Sequence, residues 1–418
     1  MKILVIHQNF PGQFGRLVHE WSKRPGWDVR GIGRDTAPGM PGFQRLIRYR
    51  PTRSAQPAQH PYLRQMETAT LHGQAAARVM MRLRRSGFVP DAIVAHPGWG
   101  ETMFAKDVFP EARLVHLSEW FYNADGADLG FDPEFPLSMD DRARLRTWNA
   151  LHTLNLTHCD VAISPTAWQR DQHPEIFRPK IVVQHEGIDL DRMVPDPSAT
   201  FPLPGGAVLK VGDPVVTYVA RNLEPYRGFH VFMRALEQLQ QRHPGCQTVI
   251  VGGDGVSYGS RPKNAPNWRE AMLRELKIDP ARMHFLGRIP HTAYRRLLQV
   301  SAAHVYLTYP FVLSWSMVEA MACGTPLVAS DTAPVREVLR PADDARLVDF
   351  FDLQAIAEAT RDLLDAAGRP RRARDLTAYG HAAGLAAYDA AIGAESGTTT
   401  DAVTGLRAPS VSHPTAIA

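Results

Sequence analysis

The stretch Val216-Thr-Tyr-Val-Ala-Arg-Asn-Leu-Glu-Pro-Tyr-Arg-Gly-Phe-His-Val231 shows the pattern that decides the fold. It begins as an apolar, β-branched run, passes through a short loop and continues as the start of a helix. A strand followed by a loop and a helix is the repeating unit of a parallel sheet covered by helices. Further strands are predicted after it at Thr248–Val251, Arg282–Phe285, His304–Thr308, Pro326–Ala329 and Ala345–Val348.

The first half of the chain repeats this alternation. Strands are predicted at Lys2–Ile6, Asp28–Ile32, Arg45–Arg50, Asp91–His96, Arg113–Leu117, Asp160–Ser164 and Lys180–Gln184. Helices are predicted at Gln13–Lys23, Pro61–Ser86, Trp99–Phe109, Met139–Thr157 and Thr166–Gln172. Strands that alternate with helices indicate an α/β fold with a doubly wound parallel sheet.

The length of the chain and its clustered prolines and glycines indicate two domains. A chain of 418 residues is longer than one hydrophobic core usually fills. Prolines and glycines cluster before residue 207, which predicts a first domain at 1–190, a linker at 191–206 and a second domain at 207–391 that includes a C-terminal helix. The Gly-, Ser-, Thr- and Pro-rich segment 392–418 is predicted to be a disordered tail.

Composition indicates a soluble globular protein, with 44% hydrophobic and 22% charged residues. A net charge of +4 does not by itself indicate nucleic-acid binding, and none is expected. The three widely spaced cysteines predict neither a disulfide framework nor a zinc site. With no signal peptide recognised, we expect a cytoplasmic location.

Charge is distributed unevenly along the chain. Residues 1–90 contain 15 Lys and Arg against 4 Asp and Glu, whereas residues 91–190 contain 8 against 16. The helical end Arg78–Arg85 mixes apolar and cationic side chains. This pattern predicts reversible, peripheral contact with the inner face of an anionic membrane, and a solvated helix face is an equally good explanation.

Two arginines in the opening stretch are candidates for binding a diphosphate. Arg221 lies at the end of the predicted strand, and Arg227 lies at the start of the following helix. Guanidinium groups in these positions can hold phosphate oxygens together with the backbone N–H groups of the helix. A pair of surface arginines without a ligand is the alternative.

A second candidate region is Tyr309-Pro-Phe-Val-Leu-Ser-Trp-Ser-Met-Val-Glu319. Backbone N–H groups near Ser314 and Trp315 can bind phosphate at a helix start, and Glu319 can accept ribose hydroxyls one turn later. The structural alternative is a capping box between Ser316 and Glu319.

Several loops that follow predicted strands add weaker signals. Gly253 and Asp254 lie in Val251-Gly-Gly-Asp-Gly, and Gly15 lies with Gly12 in the first strand–helix loop. Glycines allow a ligand to approach the backbone closely, but they are also common in ordinary turns. The first loop lacks the full dinucleotide fingerprint.

Two histidines end predicted strands of the first domain. His96 and His116 would face the cleft between the domains, although a buried and hydrogen-bonded histidine is the commoner case. The following acidic, aromatic segment Glu119 to Glu134 contains Trp120 and Tyr122. Such side chains suit sugar hydroxyls, and a solvated loop is the alternative. Asp189-Leu-Asp191 resembles a metal motif but fits a helix-capping turn, so no metal is expected.

Taken in order, these segments resemble family 4 of the retaining GT-B glycosyltransferases over roughly residues 1–391. The resemblance is most specific in the arginine pair, the Gly-Gly-Asp turn, Phe285-Leu-Gly-Arg and Glu319-Ala-Met-Ala-Cys-Gly. It implies the GT-B fold, with two Rossmann-like domains that face a cleft. It also implies transfer of a sugar from a nucleotide sugar, with retention and with neither metal nor free cofactor, to a glycan or lipid-linked acceptor in polysaccharide biosynthesis.

The resemblance also assigns roles. Arg221 and Arg227 correspond to the cations that hold the donor diphosphate, and His116 to the residue beside the anomeric carbon. Donor contacts are implied for Gly15, Gly253, Asp254, Arg288, Ile289, Phe311, Ser314, Trp315 and Glu319, of which Glu319 would bind ribose. The acceptor is assigned to His96, Trp120 and Tyr122.

One position departs from the family pattern. The family commonly has a second glutamate eight residues before the ribose-binding one, where this chain has Phe311. The substitution puts the identity of the sugar in doubt. It leaves two alternatives open: a nucleotide-sugar epimerase of the same fold, and a non-catalytic relic that binds a sugar nucleotide.

Overall fold

A computed structural model describes residues 1–125, 127–340, 345–371 and 374–394. The first domain is built on a parallel sheet of β1 (Lys2–Ile6), β2 (Asp28–Arg34), β3 (Leu46–Tyr49), β4 (Ala92–Ala95), β5 (Arg113–Leu117), β6 (Val161–Ser164) and β7 (Ile181–Val183). Its strand order is β3-β2-β1-β4-β5-β6-β7. Helices α1 (Gly15–Lys23), α2 (Arg64–Arg85), α3 (Ala105–Val108), α4 (Met139–His158) and α5 (Ala167–Asp171) connect the strands.

The second domain follows a small antiparallel hairpin of β8 (Thr200–Pro202) and β9 (Val208–Lys210). Its parallel sheet contains β10 (Val215–Asn222), β11 (Gln247–Gly253), β12 (Met283–Gly287), β13 (Ala303–Tyr306), β14 (Leu327–Ser330) and β15 (Ala345–Val348), in the order β12-β11-β10-β13-β14-β15. The helices are α6 (Phe229–Arg242), α7 (Trp268–Glu275), α8 (His291–Val300), α9 (Trp315–Ala322), α10 (Ala333–Val338), α11 (Leu353–Asp365) and α12 (His381–Ile392).

Alternating burial explains why β1 lies inside a sheet covered on both faces. Ile3 and Val5 pack into the cluster that contains Trp21 of α1, whereas Leu4 and Ile6 pack into the cluster on the opposite face. A parallel strand buried on both sides therefore has no polar face. The expected doubly wound α/β architecture is confirmed in both domains.

Strand order places a crevice in each domain. In the first sheet the order reverses between β1 and β4, and in the second it reverses between β10 and β13. Side chains that follow these strands therefore meet at the carboxyl edges of the sheets, where α/β folds bind ligands.

The predicted linker 191–206 is partly wrong, because its second half forms the β8–β9 hairpin. Phe201, Leu203 and Leu209 are buried against Val215 and Leu297 of the second domain. Gly205 and Gly206, with φ of +100° and +94°, form its turn. The prolines and glycines therefore mark a tight turn of a packed hairpin and not a free linker.

The chain crosses between the domains twice. Around the first crossing, Ile188 forms a parallel bridge with Gly380 of the second crossing. Gly187, with φ of +96°, lies so close to this segment that an added Cβ would be 2.7 Å from the Gly380 carbonyl oxygen. The two crossings thus form one paired connection.

Helix α12 corrects the predicted boundary at residue 391, because it belongs to the first domain. Tyr388 and Ile392 are buried in the cluster that contains Trp21. The Trp21 indole donates a hydrogen bond to Asp389, which also pairs with Arg24. The predicted tail 392–418 lies outside the described residues from 395 onward, while Ile392 ends α12.

Candidate active site

A cleft of about 1300 Å³ lies between the carboxyl edges of the two sheets. The first domain contributes His7 after β1, His96 after β4 and Glu119 after β5. The second domain contributes Arg221 at the end of β10 and Phe311 after β13. Each group is positioned by the end of a buried strand, so the cleft is a product of the doubly wound topology.

A hydrogen-bonded network of two histidines, a glutamine and a glutamate lines the first-domain wall. The Glu119 carboxylate accepts hydrogen bonds from His96 Nε2 at 2.9 Å and from Gln13 Nε2 at 2.9 Å. Gln13 Oε1 lies 2.8 Å from His7 Nε2. The His7 and His96 Nδ1 atoms accept backbone N–H groups of Asn9 and Gly98, so each ring donates through Nε2.

The charge of this network is located on Glu119. Burial acts to raise the pKa of the Glu119 carboxyl, but the hydrogen bond and charge of His96 outweigh it and lower the pKa below its ordinary value. Burial, together with the neighbouring His96, lowers the pKa of His7 to about 3. At neutral pH the wall therefore presents a carboxylate held by His96 and by the Gln13 amide, which the neutral His7 orients.

His116, which was expected to be catalytic, does not lie in the lining of the cleft. Its side chain is 1% exposed and has no hydrogen-bond partner for either ring nitrogen among the described residues. Strand β5 continues one residue beyond it to Leu117, and every residue of the strand after Arg113 is buried. The first polar groups to reach the cleft are Ser118 and Glu119.

The two arginines lie together on the opposite wall. Arg227 donates hydrogen bonds from Nη1 to Thr308 Oγ1 at 2.9 Å and to the Val312 carbonyl oxygen at 3.0 Å. These bonds use one nitrogen of the guanidinium and fix its plane, and other N–H groups remain for a ligand. Arg221 is exposed to the cleft, and its side chain makes no hydrogen bond or ion pair within the part of the chain that the structure describes.

Glu224, which sequence reasoning missed, organises the loop beside these arginines. Its carboxylate accepts the backbone N–H groups of Ser257, Tyr258 and Gly259 at 3.0–3.1 Å. The loop thereby places the Tyr258 ring 5.6 Å from the Arg227 guanidinium. The signal available in the sequence was the position of Glu224 between the two arginines, in Arg221-Asn-Leu-Glu-Pro-Tyr-Arg227.

Phe311 lies in an aromatic cluster contributed by both domains. Its ring is 4.9 Å from Trp120, 4.9 Å from Tyr258 and 5.4 Å from Tyr226, in edge-to-face arrangements. Trp120, Tyr122 and His96, which were predicted to bind the acceptor, all line the same cleft. An apolar wall therefore occupies the place where the family pattern has a carboxylate.

The acidic, aromatic segment does not form a solvated loop. We call residues 119–125 and 127–134 the clasp, because they reach from the first domain onto the second. Asp128 accepts a hydrogen bond from Tyr226 at 3.1 Å, and Asp132 accepts hydrogen bonds from Tyr309 at 2.6 Å and His230 at 2.9 Å.

The end of the clasp is an ion pair. Glu134 pairs with Arg234 of α6. Asp132, Glu134 and His230 are close enough to hold a cation, but each already has a protein partner. The clasp thus fixes one domain against the other.

Ser314 and Trp315 line the cleft at the start of α9. Ser314 caps the helix, accepting the backbone N–H of Ser316 at 3.4 Å. The capping box with Glu319 is not observed. Glu319 instead accepts hydrogen bonds from Tyr294 at 2.9 Å and His291 at 3.2 Å, and it does not line the cleft.

The remaining residues predicted to bind the donor also lie outside the cleft lining. Asp254 forms an ion pair with Arg269 at 2.7 Å. A Cβ added to Gly253 would lie 2.8 Å from Asn222 Oδ1 and 3.3 Å from Arg288 Nε, so this glycine makes room for side chains. Ile289 packs against the hydrophobic core of the second domain. Gly15 lines a smaller pocket that lies beside the cleft.

Comparison with known proteins shows which family this chain resembles. Residues 25–193 match the "Glycosyl transferase family 4 group", and residues 206–380 match the "Glycosyl transferases group 1". The glycogen synthase of Mycobacterium tuberculosis is 28% identical over 404 residues, which cover 90% of this chain and 89% of that protein.

Solved structures confirm the GT-B fold. The sucrose-phosphate synthase of Thermosynechococcus elongatus has a TM-score of 0.60 at 16% identity, and the alignment covers 93% of this chain and 98% of that one. HepE of Anabaena in complex with UDP-glucose has a TM-score of 0.59 at 16% identity, with 94% and 100% covered. With two matched regions that span both domains around one polar cleft, the chain belongs to the group 1, family 4 glycosyltransferases.

Proposed function

We propose that this glycosyltransferase takes a sugar from a nucleoside diphosphate sugar and transfers it to a hydroxyl group of a glycan or lipid-linked glycan. The observation that supports this proposal is the polarity of the cleft. Arg221 and Arg227 face it from the second domain, and the Glu119 carboxylate faces it from the first. Cations suit a diphosphate, and an ordered carboxylate suits the hydroxyl that must lose a proton.

The reaction would proceed as follows. The bond between the anomeric carbon and the diphosphate oxygen breaks, and the diphosphate keeps the electron pair. The acceptor oxygen forms its bond to the anomeric carbon and gives its proton to the Glu119 carboxylate. Arg221, Arg227 and the start of α9 stabilise the charge that develops on the diphosphate.

We further propose that the anomeric configuration is retained and that no metal ion is required. The family resemblance supports retention. The arginine pair supports metal independence, because it supplies fixed positive charge at the position where a divalent cation would otherwise neutralise the diphosphate.

The relic alternative rests on Phe311. Arg221, Arg227 and the Glu119–His96 network are nevertheless all in place around the cleft. Decay without selection would not be expected to spare both walls and alter a single sugar contact. We therefore favour an active enzyme in which Phe311 or the backbone at Val312 to Ser314 contacts the sugar.

Binding of the diphosphate tests the assignment directly. Loss of the Arg221 guanidinium in Arg221→Ala should weaken binding of UDP or GDP by about 1.5–3 kcal/mol, as for a charge-assisted hydrogen bond. Calorimetry on wild type, Arg221→Ala and Arg227→Ala measures this. Arg361→Ala, on the surface of α11, is the matched control. Unchanged affinity in both cleft variants would remove the diphosphate assignment.

Turnover requires a second assay. Nucleotide release is followed over a panel of nucleotide sugars with a cell-extract pool of acceptors, and with no acceptor. Release that depends on acceptor supports the transferase, and consumption of donor without acceptor supports the epimerase. Tight nucleotide binding with no donor consumed in either arm supports the relic.

A further inference from the structure

A second, smaller pocket opens beside the main cleft, and we call it the annex. It has a volume of about 370 Å³, roughly that of a dozen water molecules in the liquid. Gly12, Gln13 and Trp315 line both the annex and the main cleft. A molecule that occupies the cleft can therefore extend into the annex without leaving the protein surface.

Glu186 is the unusual residue of the annex. It is 6% exposed, and neither carboxyl oxygen has a hydrogen-bond partner of normal geometry among the described residues, although the Trp315 side chain lies close enough to act on the carboxyl as a donor. A buried polar group without a partner costs about 1–3 kcal/mol, more if charged. Glu186 also lies at the carboxyl end of the first domain, directly before the paired crossing, where its backbone is fixed. A ligand in the annex is the natural partner for this carboxyl group.

The surroundings of Glu186 keep it neutral. Burial, and then the charge of Glu119, raises the pKa of Glu186 to about 8. His185 lies 3.9 Å away, and burial lowers its pKa to about 4. Tyr388 of α12 faces the same carboxyl, and burial raises the pKa of its phenol. At pH 7 Glu186 is therefore a carboxylic acid that can both donate and accept a hydrogen bond.

The rim of the annex carries little net charge. His381 lines it, and burial lowers the pKa of this histidine. Arg16 lines it too, but its guanidinium pairs with Glu20 at 3.1 Å, and His19 is exposed at the edge. A neutral carboxyl beside the indole of Trp315 and the side chain of Met40 suits an uncharged ring with hydroxyl groups on its edge and an apolar face.

We propose that the annex is a subsite for a sugar ring of the acceptor, with Glu186 as its hydrogen-bonding residue. The inference rests on the proposed function, in which the acceptor hydroxyl lies at Glu119 of the first domain. Apart from Trp315, the annex lining comes from the first domain, the first crossing and α12. The enzyme would thus recognise an acceptor with at least two rings, one at Glu119 and one at Glu186.

Saturation-transfer NMR tests the subsite with defined probes: methyl α-D-glucopyranoside, methyl α-D-mannopyranoside, methyl β-D-galactopyranoside and myo-inositol. At pH 7 wild type should show saturation transfer to at least one probe. Glu186→Gln, which stays neutral and polar, should retain it, and Glu186→Leu should lose it. Glu111→Gln, an exposed change outside the annex lining, is the matched control.

A second variant and a pH series distinguish loss of the subsite from misfolding of the Glu186 variant. Gly15 has a φ of ordinary sign, and an added Cβ would meet only Pro11 at 3.5 Å, so Gly15→Leu should fold while filling the annex. It should abolish the same signal. Wild-type affinity should fall at least fivefold between pH 7 and pH 9.5 as Glu186 ionises, and Glu186→Gln should show no such fall.

Two outcomes overturn the proposal. In the first, wild type binds none of the probes. In the second, Glu186→Leu and Gly15→Leu bind them as wild type does, which would place the sugar in the main cleft only. The Arg221-dependent nucleotide affinity is measured on the same samples. If it persists, only the subsite is lost, and if it is absent, the proposed function fails independently of the annex.

Discussion

Among single residues, Glu119 holds the negative charge of the cleft in a defined position. It is ionised at neutral pH because the hydrogen bond from His96 lowers its pKa below the ordinary carboxyl value. Its stabilising contribution is therefore present above the ordinary carboxyl pKa and is lost as the pH falls through the lowered value. Proton removal from the acceptor should follow the same dependence.

Glu119→Gln should reduce turnover by about 100-fold or more, the usual contribution of a positioned base. Nucleotide affinity should stay unchanged, since the arginines are untouched. The measurement is kcat with the best donor, together with calorimetry of the nucleotide. Glu111→Gln, an exposed change just before β5, is the control. Full activity in Glu119→Gln would rule out the proposed role.

Phe311 should influence the choice of donor sugar. Phe311→Glu introduces a carboxylate close to Arg227, whose guanidinium lies 5.9 Å from the present ring. We expect the preferred donor to shift toward a sugar with more hydroxyl groups, with little change in nucleotide affinity. Burial of the carboxylate should also destabilise the protein by roughly 1–3 kcal/mol.

Phe311→Leu is the matched variant, since it stays apolar and should keep the donor preference of wild type. Relative kcat/KM over a panel of nucleotide sugars is the measurement. An identical donor ranking in wild type and Phe311→Glu would show that residue 311 does not contact the sugar.

At this scale the sequence predicted part of the site. Arg221, Arg227, His96, Trp120 and Tyr122 line the cleft, as expected from residues at strand ends. Glu119 was missed and His116 chosen instead. The bounds of β5 were predicted correctly, but His116 lies within the buried strand, and the residues that reach the cleft come only after the strand ends.

Among the structural elements, the clasp makes a prediction about pH. Burial raises the pKa of Asp128 to about 6, above its ordinary carboxyl value. A carboxyl with a raised pKa favours folding below its ordinary value, and this contribution is lost progressively as the pH rises from that ordinary value to about 6. At pH 8 the ionised Asp128 should therefore cost up to roughly 3 kcal/mol.

Asp128→Asn should raise the free energy of unfolding by up to roughly 3 kcal/mol at pH 8 and by about half as much at pH 5. Denaturant unfolding of both proteins at the two pH values measures the difference. Asp125→Asn is the control, since Asp125 is exposed and pairs with Arg142. Equal stability of Asp128→Asn and wild type at pH 8 would mean that Asp128 is not destabilised by burial.

Several strands occur where the sequence predicted them, whereas one helix and the small hairpin do not follow the prediction. Strands β1, β5 and β15 occur at the predicted bounds. The predicted helix Trp99–Phe109 contains only the four residues of α3, because Gly100 adopts a φ of +99° within it. Strands β8 and β9, of three residues each, were hidden among prolines and glycines.

For the whole molecule, the uneven charge predicts where it would meet a membrane. Arg78, Arg82 and Arg85 are exposed along α2 beside Met81, whose side chain is 45% exposed. Within the described residues, none of the helices has the length and apolar character needed to span a bilayer. Any membrane contact of this part of the chain would therefore have to be peripheral, through such a surface.

Purified protein should sediment with vesicles containing phosphatidylglycerol at low salt and detach at high salt. Changing Arg78, Arg82 and Arg85 to glutamine should weaken binding by more than 100-fold, at about 1 kcal/mol for each cation. The same change at Arg361 and Arg369 is the control. Wild type that stays in the supernatant at low salt would exclude this mode of attachment.

Helix α12 has a consequence for how the protein is made. Its Tyr388 and Ile392 complete the core around Trp21, near the beginning of the chain. A ribosome must therefore finish almost the entire second domain before the first can close its own interior. Domains usually fold in the order in which they are synthesised. Here the earlier domain must wait for the later one, and until then the apolar face around Trp21 lacks the residues that cover it.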